Sequence, residues 1–421
     1  MTSFTFRNEE ALALDEADPL SAIRDQFTIP LDSDGGEEAY FAGNSLGLMP
    51  KDTPTAMLGA LSDWGNKGVR GHFEGDESWY RYDEVVSALQ ANLVGAQQSE
   101  VGIMGSLTTN LHLLMASFYR PSKSRRKILL EPHAFPSDRY AAAAQVAWHG
   151  GNPEVDVIEI DAENPDNVTV DDVVGTLRKY GEEVALALIG GLNYYTGQYH
   201  DLSRWLQQFR KYEITVGLDL AHAVGNVPID LHKLEADFAA WCTYKYLNGG
   251  PGSISGYFVH EKHHRDVDLI RLAGWWGNNP DTRFDMHGQE RFVPRQSADG
   301  WKVSNPALFS MVPLKRSLEM FHEIGFGALR ERSIRLTDYL EKGIQTIDEV
   351  ESITPEDPER RGCQISVRVK DDAAALEKKL ILEGVVPDAR DPDVLRFAPV
   401  PMYSSFSDIA RAIRKFKKLV S

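Results

Sequence analysis

Short apolar runs punctuate the middle of the chain, at residues 101–105, 127–130, 155–160, 184–189, 214–218, 238–243 and 255–260. Their brevity and unbroken apolar character predict strands buried on both faces. Helical stretches separate most of them. That alternation predicts an α/β fold with a mostly parallel, seven-stranded sheet covered on both sides.

Helical spacing dominates on either side. Pro54 opens a predicted helix over 54–64, since proline suits a first turn. Trp79, Tyr82, Val86, Leu89 and Leu93 recur every three or four residues, so 78–94 reads as an amphipathic helix facing the core. Residues 308–350 read as helical, with a break near 325–327. A strand at 363–369, a helix at 372–382, a strand at 394–398 and a lysine-rich helix at 405–420 then predict a smaller α/β unit. Residues 1–39 are acidic and poorly patterned; short helices fit within 11–27, but an extended surface arm is expected. The division is therefore an arm (1–39), a large domain (40–310) and a small C-terminal domain (311–421).

The totals narrow the class. The chain has 421 residues, 42% of them hydrophobic and 25% charged, which suits a soluble globular protein of two packed domains. Its 45 basic and 62 acidic residues give a net charge of −17. Neither nucleic acid nor an anionic membrane would attract it; a small anionic substrate remains compatible. Cys242 and Cys363 make no disulfide framework. With no signal-peptide core and no run of 18 apolar residues, a cytoplasmic protein is expected. No metal is expected either.

The chemistry gathers around residues 214–256. Asp219 follows one apolar run; Tyr244 and Lys245 follow another, ahead of Gly249, Gly250 and Gly252. Ligands of open α/β sheets bind outside the carboxyl ends of strands, so Asp219 and Lys245 are expected to face one pocket. Taken singly, an Asp there is a helix cap and a Lys a solvated surface residue. Together they match pyridoxal phosphate, which needs a lysine amine for its aldehyde and an acid for its pyridine nitrogen.

Other candidates are weaker alone. Ser106, Leu107, Thr108 and Thr109 start a helix, which is a plain cap or a phosphate site. Phe135 and Asp138 bracket a turn in EPHAFPSDRY, as a core aromatic and a cap or as a ring-stacking wall. Gly43, Asn44 and Ser45 read as a tight loop. His72 sits in a glycine-rich loop. Trp275 and Trp276 form an apparently exposed pair, which usually meets a ligand or partner. Arg396 lies inside an apolar strand and needs an anion, either a structural Asp or a substrate carboxylate.

The phrases GNSLG (43–47), DLAHAVGNVP (219–228) and WCTYKYLNGGPG (241–252) resemble those of the kynureninase family. The resemblance runs from about residue 40 to 406. It implies the aspartate-aminotransferase fold (fold type I of pyridoxal-phosphate enzymes) and the cofactor pyridoxal 5'-phosphate. It places Leu107 and Thr108 on the phosphate, Phe135 on the ring face, and Pro136, Ser137 and Asp138 beside ring or phosphate. Asp219, His222, Tyr244, Lys245, Trp275 and Asn305 complete the cofactor set, with the tryptophan often coming from the other subunit. Ser45, His72, Asn305 and Arg396 are implied as substrate contacts, Arg396 on the α-carboxylate. Gly190 departs from relatives that carry a hydroxyl residue there.

The implied activity is hydrolysis of L-kynurenine or its 3-hydroxy derivative to L-alanine and the anthranilate, in tryptophan catabolism. Lys245, Tyr244 and Asp219 would be catalytic, in a homodimer with shared active sites. Polar groups on His72 and Asn305 lead to an expected preference for the hydroxylated substrate. Rival readings are a related desulfurase or aminotransferase, or a non-catalytic ligand-binding relative. A desulfurase needs a mobile cysteine, and both cysteines fall in apparent strands.

Overall fold

The computed structural model describes residues 6–75 and 77–420; residues 1–5, the start of the expected arm, lie outside the described residues. A seven-stranded sheet organises the larger part. Its order is Val101–Ile103, Gly256–Val259, Phe238–Trp241, Thr215–Asp219, Val184–Gly190, Lys127–Leu130, Val157–Glu159. All neighbours run parallel except those of Gly256–Val259, which is antiparallel to both flanking strands.

Side-chain alternation explains the double burial. Leu129, Ala187, Ile189, Ala239 and Trp241 enter one apolar core. Ile128, Leu130, Leu186, Leu188, Phe238 and Ala240 enter another on the opposite face. Successive strand residues point to opposite sides, and helices cover both, so the central strands are apolar through their middles.

Six of the seven expected strands change at a boundary, while Lys127–Leu130 keeps both ends. Asp219 pairs with Gly190 and Ala240 and so is the last residue of its strand, not the first beyond it. The expected strand 155–160 shortens to Val157–Glu159. Asn152 accepts the Glu154 N–H and Pro153 sits at the first helical position, so Pro153–Asp156 forms a helical turn instead.

The smaller unit carries a four-stranded antiparallel sheet in the order Asp388–Arg390, Val394–Phe397, Ile365–Val369, Val350–Ser352. Its outer strands went unread because partly exposed edges carry polar residues. Helices Leu308–Ile324 and Phe326–Ile344 break at Gly325, whose φ of 87° favours glycine.

The expectation of an extended arm is overturned. Helix Asn8–Glu16 packs on the closing helix Phe406–Val420. Asp15 Oδ1 accepts the Phe406 N–H at 2.8 Å, and Asp18 Oδ2 takes buried Arg332 at 2.6 Å. Phe6, Ala11, Ala39 and Phe41 share a core with Leu336, Ile409 and Phe416. Ala39–Tyr40 pairs in parallel with Val385–Val386. The docking contacts lie more than 300 residues away in sequence, out of reach of local pattern. Among the described residues no helix is long and apolar enough to cross a membrane.

Candidate active site

The carboxyl ends of four parallel strands, ending at Leu130, Gly190, Asp219 and Trp241, deliver Glu131, Gly190, Asp219, Tyr244 and Lys245 to one cavity of about 250 Å³. Leu107, Thr108, Phe135, Asp138 and His222 complete its expected wall. Lys245 Nζ lies 2.8 Å from His222 Nε2, both groups buried. Burial pushes the Lys245 ammonium below its usual range, although Cys242 and Asp219 pull the other way. Burial, then the charge of Lys245, pushes His222 well down, which favours the neutral imidazole. His222 Nδ1 has no hydrogen-bond partner among the described residues.

Asp138 and Asp219 form a buried carboxyl pair. Burial raises Asp138 well above the carboxylate range, and Asp219 raises it further. Asp219 is also raised by burial, but its bond from Asp138 and the Ala221 N–H at 2.7 Å hold it down. Asp138 therefore keeps the proton of the pair. Its Oδ1 is unpartnered among the described residues.

Two helix starts face the same space. Leu107–Phe118 begins after Ser106, whose hydroxyl bonds the Thr109 hydroxyl at 3.0 Å and caps no backbone group. Pro136–Trp148 begins after Phe135, again without a side-chain cap. Thr108 Oγ1 and Ser137 Oγ tie the two together at 2.8 Å. Uncapped first-turn N–H groups favour an anion. Phe135, 39% exposed, meets Tyr194 edge-on at 5.0 Å and lies 5.8 Å from Lys245 Nζ. The loop of Ser45 is held behind the lysine: Gly47 donates to the Tyr244 carbonyl at 2.8 Å, and a Cβ on Gly47 would come within 2.3 Å of the Lys245 carbonyl.

Arg396 and Ser45 stand next to this cavity rather than in its wall. Arg396, fully buried, bonds Asp388 Oδ1 through Nη2 at 2.6 Å and the Tyr194 carbonyl through Nη1 at 2.8 Å. Ser45 Oγ donates to the same Asp388. Arg390 Nη2 reaches Asp388 Oδ2 at 3.2 Å and Ser45 Oγ at 3.5 Å.

His72, Trp275 and Asn305 come together elsewhere. They line a second cavity, of about 730 Å³, with Phe73, Tyr80 and Phe284, and none of its lining residues lines the first. The tryptophan pair is not exposed as expected. Trp276 is 5% exposed, donates to Asp83 Oδ2 at 3.2 Å and lies under the Arg283 guanidinium at 4.5 Å. Trp275 is half-buried against it, edge to face.

Glu131, Tyr194, Asp388 and Arg390 were missed by sequence reasoning. Glu131 follows the strand Lys127–Leu130 directly, as Asp219 closes its own, so strand-end logic reaches it. Tyr194, Asp388 and Arg390 carry no local signal of that kind.

The model of the kynureninase C-terminal domain family matches residues 329–416. Kynureninase of Koribacter versatilis is 45% identical over 409 residues, 96% of each chain. That of Salinispora tropica is 48% identical over 408 residues, 94% of each, and that of Myxococcus xanthus 43% over 418, 98% of each. Among solved structures, a C-DES mutant with glycine covalently linked to its PLP cofactor superposes with a TM-score of 0.76 at 16% identity, covering 94% of this chain and 98% of that one. The cysteine desulfurase CsdA from Escherichia coli gives 0.76 at 16%, covering 95% and 99%. Those structures share the fold, that of fold type I enzymes. The chain belongs to the kynureninase family.

Proposed function

We propose that this member of the kynureninase family hydrolyses the Cβ–Cγ bond of L-kynurenine or 3-hydroxy-L-kynurenine with pyridoxal 5'-phosphate. The products are L-alanine and anthranilate or 3-hydroxyanthranilate; the water oxygen ends in the new carboxylate on Cγ. One observation carries the reading: buried Lys245 shares a cavity with the Asp138–Asp219 pair and two uncapped helix starts.

The residues fit the cofactor. The cavity of about 250 Å³ is a little below the roughly 300–1,000 Å³ of sites for larger ligands. Asp138 Oδ1 and His222 Nδ1 are buried polar atoms that a bound group would satisfy. Leu107, Thr108 and the Pro136–Ser137 turn offer N–H and hydroxyl groups to the phosphate, and Phe135 an aromatic face. Asp219 would pair with the protonated ring nitrogen. When bound, the cofactor supplies an electron sink for the bonds broken at Cα and Cβ.

The chain's own groups handle protons and orientation. Lys245, neutral more readily because of burial, is the base for the Cα proton. Burial keeps the Tyr244 phenol protonated, so it is the donor to Cβ. Arg396 and Arg390 share the single Asp388 carboxylate, which leaves one positive charge for a substrate carboxylate. These cations belong to a small domain, 311–421, and the cofactor residues to a large one, 40–310. His72, Trp275 and Asn305 take the substrate ring and cofactor edge if a second copy brings its aromatic cavity to this Lys245, which is the reason to propose a homodimer with shared sites. The two unpaired thiols support a cytoplasmic setting.

The desulfurase reading is disfavoured by the cysteines. Both are buried, and burial pushes the Cys363 thiol up to about 12. The test is incubation of the purified protein with pyridoxal phosphate and L-kynurenine. Anthranilate fluorescence with equimolar alanine is expected. Sulfide from cysteine, keto-acid formation alone, or no turnover of either kynurenine would overturn the proposal.

A further inference from the structure

Behind the cofactor cavity lies a pair that none of the roles above uses. Glu131, 4% exposed, lines the cavity and places Oε2 at 2.6 Å from His200 Nε2. His200 is 2% exposed and stacks on buried Trp205, centroids 4.3 Å apart at 24°. Its orientation is thus fixed by packing on one side and by Glu131 on the other. Among the described residues, the second carboxylate oxygen, Oε1, has a long hydrogen bond of 3.4 Å from Asn193 Nδ2. It points toward Gly190: a Cβ there would come within 2.4 Å of Oε1. Gly190 is the register partner of Asp219. The missing side chain at 190 therefore leaves the glutamate a place beside the carboxyl pair.

We propose that Glu131, pinned by His200, is a positioning residue whose Oε1 side supplies the negative charge that holds a proton in the cofactor cavity. The idea rests on the cofactor reading above. Three carboxyl groups, Glu131, Asp138 and Asp219, meet there. Facing them are Lys245 and neutral His222 from the lysine side and, beyond Tyr194, Arg396 and Arg390. Glu131 acts on both aspartates, disfavouring their charged forms. A carboxylate so placed also favours any cation formed on a ligand in the cavity. His200 is what keeps it there, through the 2.6 Å contact of its Nε2 with Oε2.

The test uses the loaded protein and reads the cofactor rather than turnover. Glu131→Gln retains the shape and removes the charge. Two changes are expected: the pH midpoint of the bound cofactor's visible absorption band falls by about one unit, and pyridoxal-phosphate affinity, measured by titrating the apoprotein, weakens roughly tenfold. His200→Phe keeps the stack on Trp205 and should move the midpoint in the same direction by less. In the Glu131→Gln background it should add nothing, because its effect passes through Glu131. An unchanged midpoint in Glu131→Gln overturns the proposal, even if affinity drops. So does an equal His200→Phe effect in both backgrounds, which would make the histidine mere packing. If Glu131→Gln does not fold, the His200→Phe midpoint alone decides. A wild-type protein that fails to bind pyridoxal phosphate would instead overturn the cofactor reading, and the two failures are thereby distinct.

Discussion

Lys245 Nζ and His222 Nε2 lie 2.8 Å apart in a buried pocket, at the ends of two segments that are adjacent strands in the sheet. The neighbour is a neutral ring, so the lysine is held in place without being fixed as an ammonium by a salt bridge. A reactive amine needs that state. Lys245→Ala is therefore expected to abolish turnover and covalent cofactor attachment while the fold persists. Borohydride reduction followed by peptide mapping checks it; a label on any other lysine refutes the assignment.

The Asp138 carboxyl carries a stability cost. Its pKa in the folded chain lies above the ordinary 3.8, so the folded form binds the proton more tightly than the unfolded one. That contribution to stability is fully present below the unfolded value and is lost as pH rises through the folded value. At neutral pH the apoprotein of Asp138→Asn should therefore melt higher than wild type, while binding pyridoxal phosphate less tightly. Thermal melts of both apoproteins from acidic to neutral pH are the measurement; a variant that melts lower throughout contradicts the sign.

Arg396→Ala should raise KM for kynurenine by roughly 10- to 100-fold, since losing a charge-assisted contact costs about 1.5–3 kcal/mol. Part of the loss would be structural, because Asp388 loses its 2.6 Å partner. Arg390→Ala separates the two effects. Its side chain is 35% exposed, so KM should rise with little change in melting temperature. Steady-state kinetics beside melting curves check both, and an unmoved KM in Arg390→Ala would confine the carboxylate contact to Arg396.

A mixture of Lys245→Ala and Trp275→Ala chains should recover partial activity. The two residues line separate cavities in one chain. Sites completed across a dimer would leave one intact site per heterodimer. Activity of a verified, isolated heterodimer is the readout, and no recovery would place both residues in one chain's site.

Wild-type protein should prefer 3-hydroxykynurenine, because His72 and Asn305 offer polar groups in the second cavity. A site built to bond a hydroxyl rejects the analogue without it. The ratio of kcat/KM for the two substrates should fall in His72→Phe with Asn305→Thr. A wild-type ratio favouring kynurenine, or one that the double substitution leaves alone, would show that these residues do not read the hydroxyl.

Much of the site was legible before any coordinates. The apolar runs located all seven strands of the large sheet, because a strand buried on both faces is apolar through its middle. Asp219 and Lys245 stood out as polar residues at the ends of such runs, and the position of Asp219 inside its strand changes only the boundary. The family resemblance implied a cofactor set, of which Leu107, Thr108, Phe135, Asp138, His222 and Tyr244 line one cavity while Trp275 and Asn305 line another.

The sequence by itself determined where the strands of the large sheet form and which of their ends carry reactive groups, since burial and strand geometry act on neighbours in the chain. Tertiary structure alone decided the pairings. Asp388 pairs with the Arg396 guanidinium; Asp18 draws the N-terminal helix onto Arg332; His200 pins Glu131 across 69 residues. It also decided that Trp276 is buried, because the charge that stacks over it, Arg283, and the acceptor of its N–H, Asp83, come from different segments. A buried charge must find a partner wherever the fold offers one, and that requirement leaves no periodic trace in the chain.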